Sequence, residues 1–438
     1  MLRKLLLLLL ALPIVLQTIS ISAQTVTVLH FSDYHSHALP FYTDDGERGG
    51  IARAIGFMER HKHRGALVFS GGDTVNIGAP AWSDKYRCVE WPWFNGIVDA
   101  MAFGNHDADY GREAYDACVK PLRYPILSAN TAGFEGYRVF ERQGVRIGVF
   151  ALAGNDFKQL VKVPGFTFTD SLDAARNVVR TLREKEHVDA VLMIGHQNED
   201  ADYAMAKAVP GIDLILGSHS HLKRELTQIP GTNTWFISPS QYLTYISWVE
   251  LKFADKKLAA IDGALVPVDA RLTENPAIAK KVAKLQSELE ADPQYRDLFT
   301  PIGTLATPYS VQELAKFTLE RMRSSAQADV ALSTMSSFRG SLPSGTLTME
   351  LLRAAMPYDN EIVVCSMDGA QLQRVLDFSD ESFVVGAPPV DAARTYRIAT
   401  TDYLAFVAYK DVFTCDRTKT GLRVRDEVRK KLSGAVGS

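Results

Sequence analysis

The chain of 438 residues is short of several things, and each shortage excludes something. Beyond its first two dozen residues it has no run of about 18 apolar residues, the length a membrane-crossing helix needs. The mature protein is therefore expected to carry no integral membrane segment. It has no long basic stretch, and its net charge is −3. A polymeric nucleic acid needs a concentrated basic face, so that partner is excluded. A small anionic ligand is not, because a bound cation can outweigh the global balance locally. There is no internal repeat and, outside the leader, no low-complexity tract. Cysteine is scarce: Cys88, Cys118, Cys365 and Cys415 are the full set, and none follows the leader to accept a lipid.

What is present is ordinary in bulk. Hydrophobic residues make up 46% and charged residues 23%, a globular composition. The length suits two domains and a large core. Residues 1–23 read as a signal peptide: Arg3 and Lys4 give the positive start, residues 5–16 the apolar stretch, and residues 20–23 a cleavage point near Gln24. The expected destination is export to a periplasm or the medium. An even cysteine count in an exported chain predicts disulfides. Proximity favours Cys88–Cys118 and Cys365–Cys415 among three possible connectivities.

From residue 25 to about 269, strand-like and helix-like runs alternate. Residues 51–62 and 172–186 have helical apolar spacing, and residues 145–152 read as a buried strand. Alternation of this kind points to an α/β sandwich flanked by helices. Residues 276–298 are charged and helix-prone and read as a linking helix. A smaller α/β unit follows, with helices at 311–323 and 370–378 and strands at 330–332, 361–366 and 396–400. The expected boundaries are 24–272, 273–300 and 301–438.

The chemistry lies in five short segments, each after a strand-like run. Asp33-Tyr34-His35 follows residues 26–31, Gly72-Asp73 follows 66–69, and Gly104-Asn105-His106-Asp107 follows 98–103. Gly195-His196 follows 190–194, and Gly217-Ser218-His219-Ser220-His221 follows 214–216. Open α/β sheets place their sites at such strand ends. Carboxylate, imidazole and carboxamide groups suit borderline divalent ions such as zinc, manganese, iron or cobalt. Asp73 follows two glycines that allow close backbone approach, and its two oxygens can bridge two ions. Water held between two ions loses a proton near neutral pH and attacks a phosphate ester. His106 neighbours a ligand, and Asp109, three residues on, can hold its tautomer and its charge for phosphoryl contact or leaving-group protonation. His37, His61, His63 and His187 fall outside this pattern and are expected on the solvated surface. His30, inside an apolar strand, is expected in the core.

This ordered set resembles the calcineurin-like metallophosphoesterases and, more narrowly, the exported 5′-nucleotidase family. The markers are Phe31-Ser32-Asp33-Tyr34-His35, Gly71-Gly72-Asp73-Thr74, Gly104-Asn105-His106-Asp107-Ala108-Asp109-Tyr110-Gly111 and the Gly-Ser-His-Ser-His run. The resemblance implies one ion on Asp33, His35, Asp73 and His221, and another on Asp73, Asn105, His196 and His219. It implies His106–Asp109 as the catalytic pair. It also implies a second domain with phosphate-binding arginines and two base-stacking aromatics, which rotates substrate onto the metals. The expected activity is hydrolysis of nucleoside 5′-monophosphates or related small esters.

The second domain departs from the family pattern. Where the family has Asn-Gly-Gly-Gly-Ile-Arg, this chain has Thr334-Met335-Ser336-Ser337-Phe338-Arg339, so only Arg339 is kept. Pro357-Tyr358-Asp359-Asn360 matches Pro-Phe-Gly-Asn, which offers Tyr358 for stacking and Asn360 beside it. No glycine cluster follows Thr401-Asp402-Tyr403, which leaves Phe406, Tyr409 or Phe413 for the second aromatic. These losses admit an alternative substrate: a 2′,3′-cyclic nucleotide, a nucleotide sugar or a non-nucleotide phosphate ester.

Overall fold

A computed structural model describes residues 23–77, 80–379, 382–386 and 389–434. The expected signal peptide lies outside them except for Ala23. Two six-stranded sheets pack face to face in the first part of the chain. One runs, in order, Lys257–Pro267, Tyr245–Ala254, Ala23–Phe31, Leu67–Ser70, Ala100–Ala102 and Ile126–Leu127. The other runs Lys223–Gln228, Trp235–Pro239, Leu214–Gly217, Ala190–His196, Val145–Ala153 and Tyr137–Arg142.

Period-two alternation explains the sandwich. Val26 and Val28 face the other sheet, where they meet Leu192, Ile194, Leu214 and Leu216 in a dry core. Leu29 and Phe31 face outward and are covered by Ile51, Ala54, Ile55 and Met58 of the helix Ile51–Lys62. The helix Ser171–Glu184 covers the second sheet with Ala175, Val179 and Leu182. The central strands of both sheets are thus buried on both faces, which is why they read as nearly continuous apolar runs.

The central strands are parallel: Ala23–Phe31 with Leu67–Ser70, Leu67–Ser70 with Ala100–Ala102, and Ala190–His196 with Leu214–Gly217. Their C-terminal ends therefore emerge on one edge. The pairing of Tyr245–Ala254 with Lys257–Pro267 was not expected from sequence. Its polar outer face breaks the apolar pattern that marks the other strands.

The helix Pro276–Ala291 starts at an Asn275 cap that accepts from the Ala277 and Ile278 amides. It stops seven residues short of the expected end. Pro293 disfavours helix for the residue before it, and a separate short turn covers Arg296–Leu298. From Pro301 on, a five-stranded sheet runs Ser382–Val385, Val330–Thr334, Thr395–Thr401, Glu361–Asp368 and Thr418–Arg423. It is flanked by the helices Val311–Ser325, Gly369–Leu376 and Val424–Gly434. The disulfides are Cys88–Cys118 and Cys365–Cys415, as proximity favoured. Among the described residues no helix is long and apolar enough to cross a membrane.

Polar ties join the two parts. Asp44 accepts from the Val311 amide at 2.9 Å and the Ser341 hydroxyl at 2.6 Å. Glu350 accepts from the Ala81 amide at 2.7 Å. A cavity of about 200 Å³ remains between them, lined by His37, Trp82, Leu289, Phe299 and Leu351 among others.

Candidate metal centre

The loops at the shared sheet edge bring the sequence-selected side chains together in two overlapping groups. Asp33, His35, Asp73 and His221 each offer a donor atom, all within 4.8 Å of one another. Asp73, His196 and His219 do the same. Asn105 joins the second group, its carboxamide oxygen 3.3 Å from His196 Nε2. Asp73 belongs to both. Its carboxylate lies 3.2 Å from His196 and 3.8 Å from His35.

The backbone is bent to achieve this. Asp33, His35, Asp73, His219 and His221 all have φ between 48° and 63°, a region that costs a non-glycine residue energy and clusters at functional sites. Buried hydrogen bonds hold the bends. The Asp33 amide donates to Gly72 O at 3.1 Å, and the His35 amide to Asp73 O at 2.9 Å. Gly104 is required here, because a Cβ on it would stand 2.2 Å from Asp73 Oδ1.

Electrostatics follow from crowding. Burial opposes ionisation of Asp33 and Asp73, yet the neighbouring imidazoles outweigh it and hold both well below the usual carboxylate range. Burial drives His35 well down and His221 down as well. His196 is also buried, but Asp73, Asp33 and the Gly71 carbonyl push it up to about 10. His196 Nδ1 donates to Gly71 O at 2.5 Å, which leaves Nε2 toward Asp73 and Asn105. A backbone carbonyl behind a histidine is how metal sites fix the tautomer.

The donor set fits divalent ions. Two buried carboxylates, four imidazoles and one carboxamide converge with no Lys among the converging donors, and imidazole with carboxylate suits the borderline metals. A cation there must displace the His196 proton.

His106 Nδ1 donates to Asp109 Oδ2 at 2.8 Å. Burial disfavours its charge, but Asp73 and Asp109 lift it to about 9. Asp109 also accepts from the Ile77 amide at 3.0 Å, so the carboxylate is fixed. The expected pair is therefore assembled, with its ring 5.2 Å from that of His35.

Across the cleft, Arg339, on the loop after the strand Val330–Thr334 of the five-stranded sheet, reaches His221 Nδ1. Its other nitrogen donates to Tyr358 Oη at 3.0 Å. Tyr358 is 49% exposed. Asn360 borders a small cavity with Tyr358 and also an open groove of about 420 Å³ with Asp402, Tyr403, Phe406 and Lys419. Two of the three candidates for the second aromatic are corrected: Tyr409 and Phe413 are buried in the domain core. Phe406 is exposed, on a π-helical turn, Leu404–Ala408, that stands where the glycine cluster was missing.

The outlying histidines divide. His30 is fully buried, as expected. His63 and His187 are exposed, and His61 is half-buried. His37 corrects the expectation of a surface position. It is 7% exposed and stacks on Tyr242 at 3.6 Å, one ring behind His35.

Sequence reasoning gave no role to two carboxylates here. Asp107 accepts from the amides of Asp73, Thr74 and Gly104 and thereby fixes the Asp73 bend. Its place inside the Gly-Asn-His-Asp run was the available signal. Asp156 stands 3.2 Å from His219 Nε2, at the end of a strand whose terminus carried no recognised motif.

Residues 26–223 match the calcineurin-like phosphoesterase family, and residues 301–385 match the 5′-nucleotidase C-terminal domain. The chain is 25% identical to Protein UshA of Yersinia enterocolitica, over 87% of this chain and 85% of the relative. It is also 25% identical to a 5′-nucleotidase of Vibrio cholerae, over 84% and 76%. A 5′-nucleotidase precursor from Thermus thermophilus shares the fold with a TM-score of 0.74 at 20% identity, over 94% of this chain and 97% of that one. The sulfate thiohydrolase SoxB of Thermus thermophilus does so at 0.76 and 20%, over 94% of each.

Proposed function

From the premise that this chain is a phosphoric ester hydrolase of the calcineurin-like, 5′-nucleotidase type, we propose that it is exported and hydrolyses nucleoside 5′-monophosphates or related small phosphate esters with two divalent ions. Residues 24–272 form the catalytic domain in this reading, 273–300 the link and 301–438 the substrate-binding domain. The observation that carries it is the sharing of Asp73 between two donor groups.

Asp33, His35, Asp73 and His221 would hold one ion, and Asp73, Asn105, His196 and His219 the other. When bound, the pair supplies the Lewis acidity and the lowered water pKa that ester hydrolysis requires. His106, oriented by its hydrogen bond to Asp109, donates a hydrogen bond to the phosphoryl group or a proton to the leaving oxygen. Arg339 presents two parallel N–H donors to a phosphate, and Tyr358 offers a face for a base. The leftover interdomain cavity and the direct Arg339–His221 contact support a second domain that moves to admit substrate.

A second reading keeps the chemistry and changes the substrate to a 2′,3′-cyclic nucleotide, a nucleotide sugar or a non-nucleotide ester. The π-helical turn that carries Phe406, beside cationic Arg417 and Lys419, favours it. The test is phosphate release from AMP, UMP and simple esters with zinc, manganese, iron and cobalt added separately. Turnover that a chelator abolishes is expected. Absence of turnover with every ion and ester ends the proposal, and AMP and UMP as the slowest substrates would move it to the second reading.

A further inference from the structure

We infer that Asp156 is a positioning residue for the second ion: its carboxylate accepts a hydrogen bond from the Nε2–H of His219 and so leaves Nδ1 for the metal. The inference rests on the two-ion reading. A carboxylate only accepts, so at 3.2 Å from Asp156 Oδ2 the His219 Nε2 must carry the hydrogen. The lone pair that His219 can offer an ion is then on Nδ1. His196 is oriented the same way by a different acceptor, the Gly71 carbonyl. Each histidine of the second group thus has its own rear partner, which is how ligand rings are fixed and made more basic.

Three observations separate this from an incidental contact. Asp156 precedes the short helix Phe157–Leu160, where an aspartate ordinarily caps the first amides, yet its side chain makes no cap hydrogen bond. Asn198 Nδ2 donates to the same Oδ2 at 3.3 Å, so that oxygen is aimed from two sides. Gly154 makes room for it, since a Cβ there would stand 2.3 Å from Asp156 Oδ1. The Gly154 amide is in turn tied to His196 O at 2.9 Å, and Phe157 packs on both rings, 5.6 Å from His196 and 6.1 Å from His219. The end of the strand Val145–Ala153 is therefore a sixth contributor to the site, beside the five marked by histidine or carboxylate motifs.

The experiment is calorimetric and spectroscopic titration of cobalt(II) into the ion-free full chain, for the wild type, Asp156→Ala, Asp156→Asn, His219→Ala and the Asp156→Ala/His219→Ala double variant. The wild type should take two ions. Asp156→Ala should weaken one of them by roughly 10–100-fold and change the cobalt absorption of that site, while the other ion binds as before. Asp156→Asn, whose carboxamide oxygen still accepts, should recover part of the loss. The double variant should bind no worse than His219→Ala, because the two residues act as one unit. Unchanged affinity for both ions in Asp156→Ala overturns the inference. So does a loss that adds fully to that of His219→Ala, or one that merely tracks a fall in Tm of the ion-free chain. A wild type that binds fewer than two cobalt ions would overturn the two-ion reading itself, a distinct outcome read from a different sample.

Discussion

The two walls of the cleft are built on opposite principles. On the sandwich side, seven polar side chains are drawn into a volume a few ångströms across, and five of them sit on left-handed backbone, which buried hydrogen bonds hold at Asp33, His35 and Asp73. On the other side, Arg339 and Tyr358 lean from loops, with Tyr358 half in solvent and hydrogen-bonded to its neighbour rather than to the domain core. Strain is tolerated where surrounding structure over-determines it, so the first wall is fixed before any ligand arrives. The second can adapt. A rigid wall suits chemistry common to every phosphate ester, and a loose one suits a choice among esters.

The strongest way to break this contrast is at Asp73. Asp73→Ala removes the donor common to both groups, so turnover should fall by roughly 10³-fold or more and the chain should retain neither ion. Phosphate release together with metal content checks it. Retention of both ions would mean that the wall is not organised around that carboxylate. His106→Asn comes next. It should lose roughly 10²–10⁴-fold in kcat with both ions still bound, and Asp109→Asn should lose less, since it acts only by holding His106.

The rigid wall is also the part that sequence discloses best, for the same physical reason. Metal chemistry accepts few residue types, strand ends place them, and glycines mark where backbone must pass close by. Asp33, Asp73 and His196 were therefore visible in their motifs, as was His106 beside Asp109. The partners behind them were not. Asp107 and Asp156 work through one or two hydrogen bonds to groups far away in sequence, and no spacing announces such a contact. His37 is buried through its stacking on Tyr242, some two hundred residues on, which no local pattern shows. The helix after Asn275 ends before Pro293 although its composition stays favourable beyond that point. In the second domain, Phe406, Tyr409 and Phe413 are alike as residues, and only their packing separates the exposed ring from the buried two.

A third effect tests whether the floor under the rigid wall serves stability rather than chemistry. Tyr34, between two candidate ligands, donates to the fully buried Glu90 at 3.1 Å. Burial pushes the Glu90 carboxyl up to about 8, although hydrogen bonds from Tyr34 and others oppose this. The folded chain therefore keeps a proton that the unfolded chain releases above about 4.5. Where the folded state binds more protons, stability falls as pH rises. The loss should develop between about pH 4.5 and 8 and amount to a few kcal/mol at most. Glu90→Gln should flatten that part of a pH series of denaturant midpoints and leave kcat at its wild-type value. A wild-type slope in the variant would assign the pH dependence to another group.

The smaller effects belong to the adaptable wall. Arg339→Lys keeps charge but loses the planar fork, and kcat/KM should drop about 10-fold or somewhat more for every phosphate ester, with ion content unchanged. Tyr358→Ala should be similar in size but selective. Stacking on a base is worth roughly 1–3 kcal/mol, so kcat/KM for AMP should fall by about 10-fold or more while that for a simple alkyl phosphate stays put. The ratio between the two substrates is the sensitive quantity, because global damage to the fold would lower both together. Equal losses would show that Tyr358 supports Arg339 through its hydroxyl rather than stacking on a base. Tyr358→Phe then decides: it keeps the ring and deletes the hydrogen bond, so an intact AMP rate assigns the effect to the face and a lowered rate on both esters assigns it to the hydroxyl.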